Sequence, residues 1–304
     1  MKDASSVYHI PVLYKEVIHA LNIIPKGVYV DCTFGGGGHA KSILEKLNAD
    51  GRLIAFDQDA DAQRNIPQDN RLIFVPHNFR HLHRFLKFHK HEKVNGVLAD
   101  LGVSSFQFDE AQRGFSTRSN GPLDMRMDKR TDKTASEVLM NYTETQLHKL
   151  FEQYGEVSNS KTLAKHIVQQ RNLIQLKDIE SFKVMLQPIV KGNPNKYFAQ
   201  VFQALRIEVN DEMGALKETL SQLPSVLFPK ARVAIITFHS IEDRIVKNFF
   251  KRVASDEDEN NPFITKQKDP LFKIVYKKPV TPTEEEIRRN PRARSAKLRV
   301  AERV

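Results

Sequence analysis

Three short apolar runs in the first hundred residues each stop at an aspartate: 28–30 before Asp31, 52–56 before Asp57 and 94–99 before Asp100. A further run, 71–75, lies between the last two. Helical patterns separate them: 11–22 puts Val12, Leu13, Val17, Ile18 and Leu21 on one face, and 39–47 and 79–88 follow suit. Strands alternating with helices build a parallel sheet covered on both faces, because parallel neighbours need a crossover, and the crossover is usually a helix. A carboxylate at each strand end then stands on the edge where open α/β sheets hold their ligands.

The rhythm stops after Asp100. Residues 104–210 read as helices throughout, at 136–140, 144–153, 160–171 and 178–188, with 191–195 (KGNPN) as a plain turn. Alternation resumes with a helix at 211–223, a strand at 232–238 and a helix at 241–253. Residues 255–262 (SDEDENNP) read as a mobile acidic loop, and β-like runs at 271–276 and 296–301 close the chain. The expectation is an α/β core, 1–104 and 210–304, with a helical insertion between its fourth and fifth strands. That insertion, 105–209, emerges at the ligand edge and is read as the substrate-recognition part.

With 304 residues the chain has room for roughly two domain-sized units. It is 40% hydrophobic and 28% charged, too apolar for a mostly disordered polymer. A single cysteine, Cys32, excludes a disulfide framework and fits a reducing compartment. No run approaches the ~20 apolar residues that span a bilayer, and the first residues lack the apolar stretch of a secretory signal, so a cytoplasmic protein without membrane partners is expected. Lys and Arg exceed Asp and Glu by ten, which points to a polyanionic partner such as RNA.

The densest constellation is Asp31-Cys32-Thr33-Phe34-Gly35-Gly36-Gly37-Gly38-His39. Glycines between a strand and a helix let backbone approach a ligand closely and aim helical N–H groups at it. Asp57, at the end of the next strand, suits the two hydroxyls of a ribose. Gly35-x-Gly37-x-x-Ala40 fits the dinucleotide fingerprint formally, so a nicotinamide cofactor is one reading. S-adenosylmethionine is the other: Asp31 suits its ammonium, and Asp100 would lie beside the transferred group.

Elsewhere, five of eleven histidines lie in 77–93. Without cysteine partners or an HExxH pattern they read as a basic exposed helix face, and no metal is expected. His239 either touches substrate or caps the helix that follows it. From 271 to 304 ten Lys or Arg face four Glu, and Arg292, Arg294, Lys297 and Arg299 are candidates for phosphate contacts. Asp124 and Arg126, in GPLDMRMD, would shape the entrance to the insertion.

Seven ordered motifs carry a resemblance: HIPVLYKE at 9–16, DCTFGGGGHA at 31–40, LADLGVSSFQFDEAQRGFS at 98–116, GPLDMRMD at 121–128, FQALRIEVNDE at 202–212, FHSIEDRIVK at 238–247 and NPRARSAKLRVAER at 290–303. From end to end the sequence resembles the MraW family of bacterial ribosomal RNA methyltransferases. The resemblance implies a Rossmann-like class I methyltransferase core. It also implies S-adenosylmethionine as methyl donor, S-adenosylhomocysteine as product, and N4 of a decoding-centre cytidine in 16S rRNA of the small ribosomal subunit as acceptor. Carried over by position, the cofactor contacts fall on Gly37, Gly38, His39, Asp57, Phe79, Asp100 and Gln107, and Asp100 is the candidate catalytic group. Amino-methyltransferases commonly hold the amine with a polar residue followed by Pro-Pro and an aromatic. Here the place reads Asp100-Leu101-Gly102-Val103, so their mechanism does not transfer directly. The rival readings, a nicotinamide-dependent oxidoreductase and a non-catalytic RNA-binding assembly factor, predict NADH binding and cofactor-independent RNA binding respectively.

Overall fold

The computed structural model describes residues 11–173, 176, 178–254 and 270–304. The chain divides into two units, one within Met1–Gly102 and Ala215–Val304, the other Val103–Gly214. The acidic segment 255–262 lies outside the described residues.

The first unit is built on a seven-stranded sheet: β1 (Val28–Asp31), β2 (Arg52–Phe56), β3 (Leu72–Val75), β4 (Val94–Asp100), β5 (Leu227–Thr237), β6 (Phe272–Ile274) and β7 (Lys297–Arg303). Their spatial order is β3-β2-β1-β4-β5-β7-β6. Strands β1 to β5 run parallel, whereas β7 pairs antiparallel with both β5 and β6. Because strand side chains alternate faces, each central strand feeds two cores. Val30, Ile54, Phe56, Val97, Ala99, Val233 and Ile235 enter one; Tyr29, Leu53, Ala55, Leu98, Ala234 and Ile236 enter the other. The sheet is thus buried on both faces. The switch point lies between β1 and β4, whose connections leave in opposite directions along the sheet. This is a Rossmann-like α/β fold.

The second unit contains helices Ser105–Asp109, Ala135–Asn141, Glu144–Gln153, Ser160–Gln170, Ile179–Leu186 and Pro194–Asn210. Four begin with a reciprocal cap, from Ser104 to Gln107, Thr134 to Glu137, Thr143 to Gln146 and Asp178 to Ser181. Their apolar faces meet in one core that holds Phe151, Phe182 and Tyr197. Of residues 191–195, expected as a plain turn, 191–193 stay outside a helix while Pro194 and Asn195 open the 17-residue helix Pro194–Asn210. The Asn193 side chain accepts the Lys196 N–H at 3.1 Å and Pro194 takes the first helical position, where its missing donor costs nothing.

Arg113 is 3% exposed in this unit. Its Nη2 donates to the carbonyls of Arg126 and Met127 at 3.0 and 3.2 Å, and the guanidinium lies over the Phe115 ring. Replacing it with methionine leaves both carbonyls short of a charged donor. Arg113→Met is expected to cost about 2–4 kcal/mol of stability, read by denaturant unfolding of the whole chain. A loss near zero would show that water serves those carbonyls equally well.

Candidate active site

The carboxyl ends of β1, β2 and β4 carry Asp31, Asp57 and Asp100. Between β1 and helix Gly38–Leu44 the chain turns through the glycines, with Gly35 and Gly37 at φ +50° and +75°. The turn is tied down on two sides. Asp57 Oδ2 accepts the Gly35 N–H at 2.7 Å, and Asn65 Nδ2 donates to the Gly35 carbonyl at 3.0 Å. The other Asp57 oxygen accepts the Asp59 N–H at 2.8 Å. A Cβ on Gly38 would stand 2.4 Å from Pro11 Cγ, so only glycine fits there, whereas nothing lies within 4 Å of one on Gly36.

Asp31, His39 and Asp100 form the electrostatic centre. Asp31 is fully buried; Oδ1 accepts the Thr33 N–H at 3.0 Å, and Oδ2 has no hydrogen-bond partner. The Asp100 N–H donates to Thr33 Oγ1 at 2.7 Å, which ties β4 to the glycine turn, while Asp100 Oδ1 is buried without a partner. His39 is 6% exposed, and its Nε2 lies 3.5 Å from Asp100 Oδ2, an ion-pair distance too long for a well-formed hydrogen bond. Both ring nitrogens lack a hydrogen-bond partner. Burial pulls the imidazole pKa down, but the Asp100 carboxylate beside it, with the charges of Asp31 and Glu286, raises it overall.

Burial pushes Asp31 up to about 6, opposed by the His39 charge and the Thr33 N–H. Burial also lifts Asp57 to about 6, against the N–H groups of Asp59 and Gly35. Both carboxyls therefore hold a proton more tightly folded than unfolded. Between the ordinary value of 3.8 and about 6 the folded chain carries the extra protons, so these two groups lower stability as pH rises through that window. Asp31→Asn is expected to flatten its share of the slope in chemical unfolding between about pH 4 and pH 7. An unchanged slope would mean that Asp31 does not titrate there.

Phe79 opens a 3₁₀ turn, Phe79–His81, just past β3, and is half-buried against the sheet core. Gln107 belongs to the other unit, where it is 5% exposed and closes the Ser104 cap, its Oε1 accepting the Ser104 N–H at 3.0 Å. The structure thus gathers Gly37, Gly38, His39, Asp57, Phe79 and Asp100 along one sheet edge of the first unit, and within the second unit Gln107 closes a helix cap.

Several of the other candidate residues make contacts within the protein. Arg299 is held by Asp243 through Nε and Nη2 at 2.7 and 3.1 Å, and Lys297 sits 3.5 Å from the same carboxylate. Arg299 was expected to meet phosphate, but its antiparallel strand aims it at the helix Ser240–Val253. Arg292 and Arg294 remain exposed in the turn Pro291–Ser295. His239 caps that helix, with Nδ1 accepting the Glu242 N–H at 3.5 Å and Nε2 3.1 Å from Glu242 Oε1. Asp124 and Arg126 form a two-bonded local pair at 2.8 Å. Glu286 is a residue that the sequence reading missed: it accepts the Leu13 N–H at 2.8 Å, 273 residues away in sequence, and contributes charge at His39. Nothing local in its helix, Glu284–Arg289, signals that partner. Among the described residues, no group of three or more His, Cys, Asp or Glu has the arrangement of a metal site, and no helix is long and apolar enough to cross a membrane.

An antiparallel β7 between β5 and β6 separates this sheet from the dinucleotide order 3-2-1-4-5-6. With the glycine turn and carboxylates at the switch point, it defines a class I methyltransferase core. The chain belongs to the MraW methylase family, whose model matches residues 6–304. It is 48% identical over 306 residues to ribosomal RNA small subunit methyltransferase H of Parabacteroides distasonis, with all of both chains covered. The protein of that name from Bacteroides fragilis is 49% identical over 303 residues, covering 99% of each chain. That from Azobacteroides pseudotrichonymphae is 49% identical over 304 residues, covering 99% of this chain and 100% of its own.

Proposed function

We propose that this chain transfers a methyl group from S-adenosylmethionine to N4 of a cytidine in the decoding centre of 16S ribosomal RNA, acting on the small ribosomal subunit in the cytoplasm. The observation that carries the cofactor reading is the pair of buried, unpartnered carboxylate oxygens, Asp31 Oδ2 and Asp100 Oδ1, beside the glycine turn. Buried acceptors without donors are costly, and a ligand rich in donors relieves them. S-adenosylmethionine carries such donors in its ammonium, ribose hydroxyls and adenine amine. Asp31 would take the ammonium and Asp57 the ribose hydroxyls. Phe79 would offer its apolar ring to adenine, and Gly37, Gly38 and His39 would line the amino-acid end. Gln107 completes the set that the family resemblance implies.

When bound, the cofactor supplies an electrophilic methyl on a sulfonium. The protein has to position a poor nucleophile, because the N4 lone pair is delocalised into the cytosine ring. Asp100 would accept a hydrogen bond from the amino group and so hold the lone pair in line with the methyl. Asp100 would receive the proton that N4 releases on taking the methyl group. If the target base is stacked in the subunit, it must first leave the stack to reach the methyl. The helical unit, with Arg292 and Arg294, would hold the RNA.

Calorimetric titration tests the cofactor reading: S-adenosylmethionine should bind and NADH should not, whereas the reverse would transfer the site to hydride chemistry. Because Asp31 keeps its proton up to about pH 6 in the ligand-free chain, affinity for S-adenosylmethionine is expected to fall as pH drops through that value. Asp31→Asn should weaken binding at about pH 8 and reduce the dependence to the share that Asp57 carries. Weakening below pH 6 as steep in Asp31→Asn as in the native chain would assign the effect to Asp57 or another group.

A further inference from the structure

The histidine-rich segment after β3 has no part in the cofactor site. Residues 80–93 carry five Lys or Arg against one Glu, together with His81, His83, His89 and His91. Helix Leu82–Phe88 buries Leu82 and Leu86 and sets Phe85 edge-on to the Phe56 ring, which fixes its opposite face outward. At the end of the helix Phe88 is 75% exposed, the most exposed aromatic among the described residues. Beside it is a recess of about 520 Å³ lined by His77, His81, Arg84, Phe85, Lys87 and Phe88. The recess has flat aromatic surface, for His77 stacks on Phe85 with centroids 4.8 Å apart and planes 24° from parallel. Arg84 and Lys87 are exposed, and neither is paired with a carboxylate among the described residues.

Single exposed apolar side chains are ordinary on a protein surface; what sets Phe88 apart is the recess and the two cations beside it. Two unpaired cations within a helical turn of it select the covering chemistry: negative charge at close spacing next to a flat apolar group. A single-stranded RNA segment supplies both, with phosphates for Arg84 and Lys87 and an unstacked base for the Phe88 face. An acidic peptide would satisfy the cations but supply no planar partner for the ring.

We propose that this face is a docking platform for single-stranded RNA flanking the methylated nucleotide. One base stacks on Phe88, and Arg84 and Lys87 hold the adjoining phosphates. The proposal rests on the RNA-methyltransferase reading and adds to it a binding surface outside the cofactor site.

The test uses the full chain and a fluorescein-labelled twelve-nucleotide single-stranded RNA of mixed sequence, followed by anisotropy at three salt concentrations. Phe88→Ala should weaken binding about ten-fold, and Phe88→Tyr should restore it, since any aromatic ring can stack. Arg84→Gln with Lys87→Gln should reduce the slope of log affinity against log salt by about 1.4, roughly 0.7 for each single-strand phosphate no longer neutralised. Calorimetric S-adenosylmethionine affinity and the thermal midpoint should not move. The proposal is overturned by any of three results: native binding in both sets of variants, no RNA binding by the native chain, or tighter binding of poly-glutamate than of RNA. Methyl transfer by the native chain to small ribosomal subunits reads the activity separately. Transfer with an inert Phe88→Ala would sink the platform and leave the activity, whereas RNA binding that responds to these variants without transfer would do the opposite.

Discussion

Asp100→Ala is expected to lower kcat for methyl transfer about 10²- to 10³-fold at saturating cofactor, a loss separate from any weakening of cofactor binding. The backbone at this position stays in place, because the Asp100 N–H is held by Thr33 Oγ1 and its strand pairs with both β1 and β5. What disappears is the carboxylate: Oδ1, buried with no partner, and Oδ2, 3.5 Å from His39. In the proposed mechanism that carboxylate aligns the N4 amine and receives its proton, and neither task falls to another acidic side chain on β4. Asp100→Asn separates the two tasks, since it keeps an acceptor for alignment and removes the base. It should recover part of the alanine loss. Single-turnover transfer to small subunits at saturating cofactor reads the effect. Full turnover in the alanine variant would remove Asp100 from the chemistry and leave a backbone carbonyl to orient the amine.

The second large effect is at Asp57. One oxygen holds the Gly35 N–H and the other the Asp59 N–H, so the side chain fastens the glycine turn to the end of β2. Hydrogen bonds to a charged acceptor each contribute about 1.5–3 kcal/mol. Asp57→Ala removes both, together with the proposed bond to the ribose. Cofactor affinity is expected to fall about 100-fold, and Asp57→Asn, with one acceptor left, about ten-fold. Affinity within two-fold of native in the alanine variant would mean that the turn keeps its shape without Asp57 and that the ribose is held by another residue.

Much of this site is visible in the sequence because its chemistry is local to strand ends. An apolar run that stops at an aspartate announces both the strand and the edge on which the carboxylate stands, and this pattern picks out Asp31, Asp57 and Asp100. The glycine turn is equally plain, since Gly37 needs a positive φ and Gly38 has no room for a side chain. Interactions across long separations leave no such mark. Glu286 reaches Leu13 from near the other end of the chain, and Arg299 has the sequence signature of a phosphate ligand although β7 sets it against Asp243. Residues 191–195 mislead for the opposite reason: Asn-Pro-Asn favours a turn, yet the same asparagine and proline also make a strong helix start. Strand β5 extends back to Leu227 across a register shift against β4, with Lys230 at φ +65° between its two pairings, and alternation in the sequence does not report a bulge of this kind.

The central claim is a methyl transfer to one ribosomal nucleotide, and the most direct measurement supplies labelled S-adenosylmethionine to small ribosomal subunits that lack this modification and maps the product nucleoside by mass. The account predicts N4-methylcytidine at a single decoding-centre position, with label absent when Asp100→Ala replaces the native chain at equal time. Label on another nucleoside, or none despite measurable cofactor binding, would contradict it.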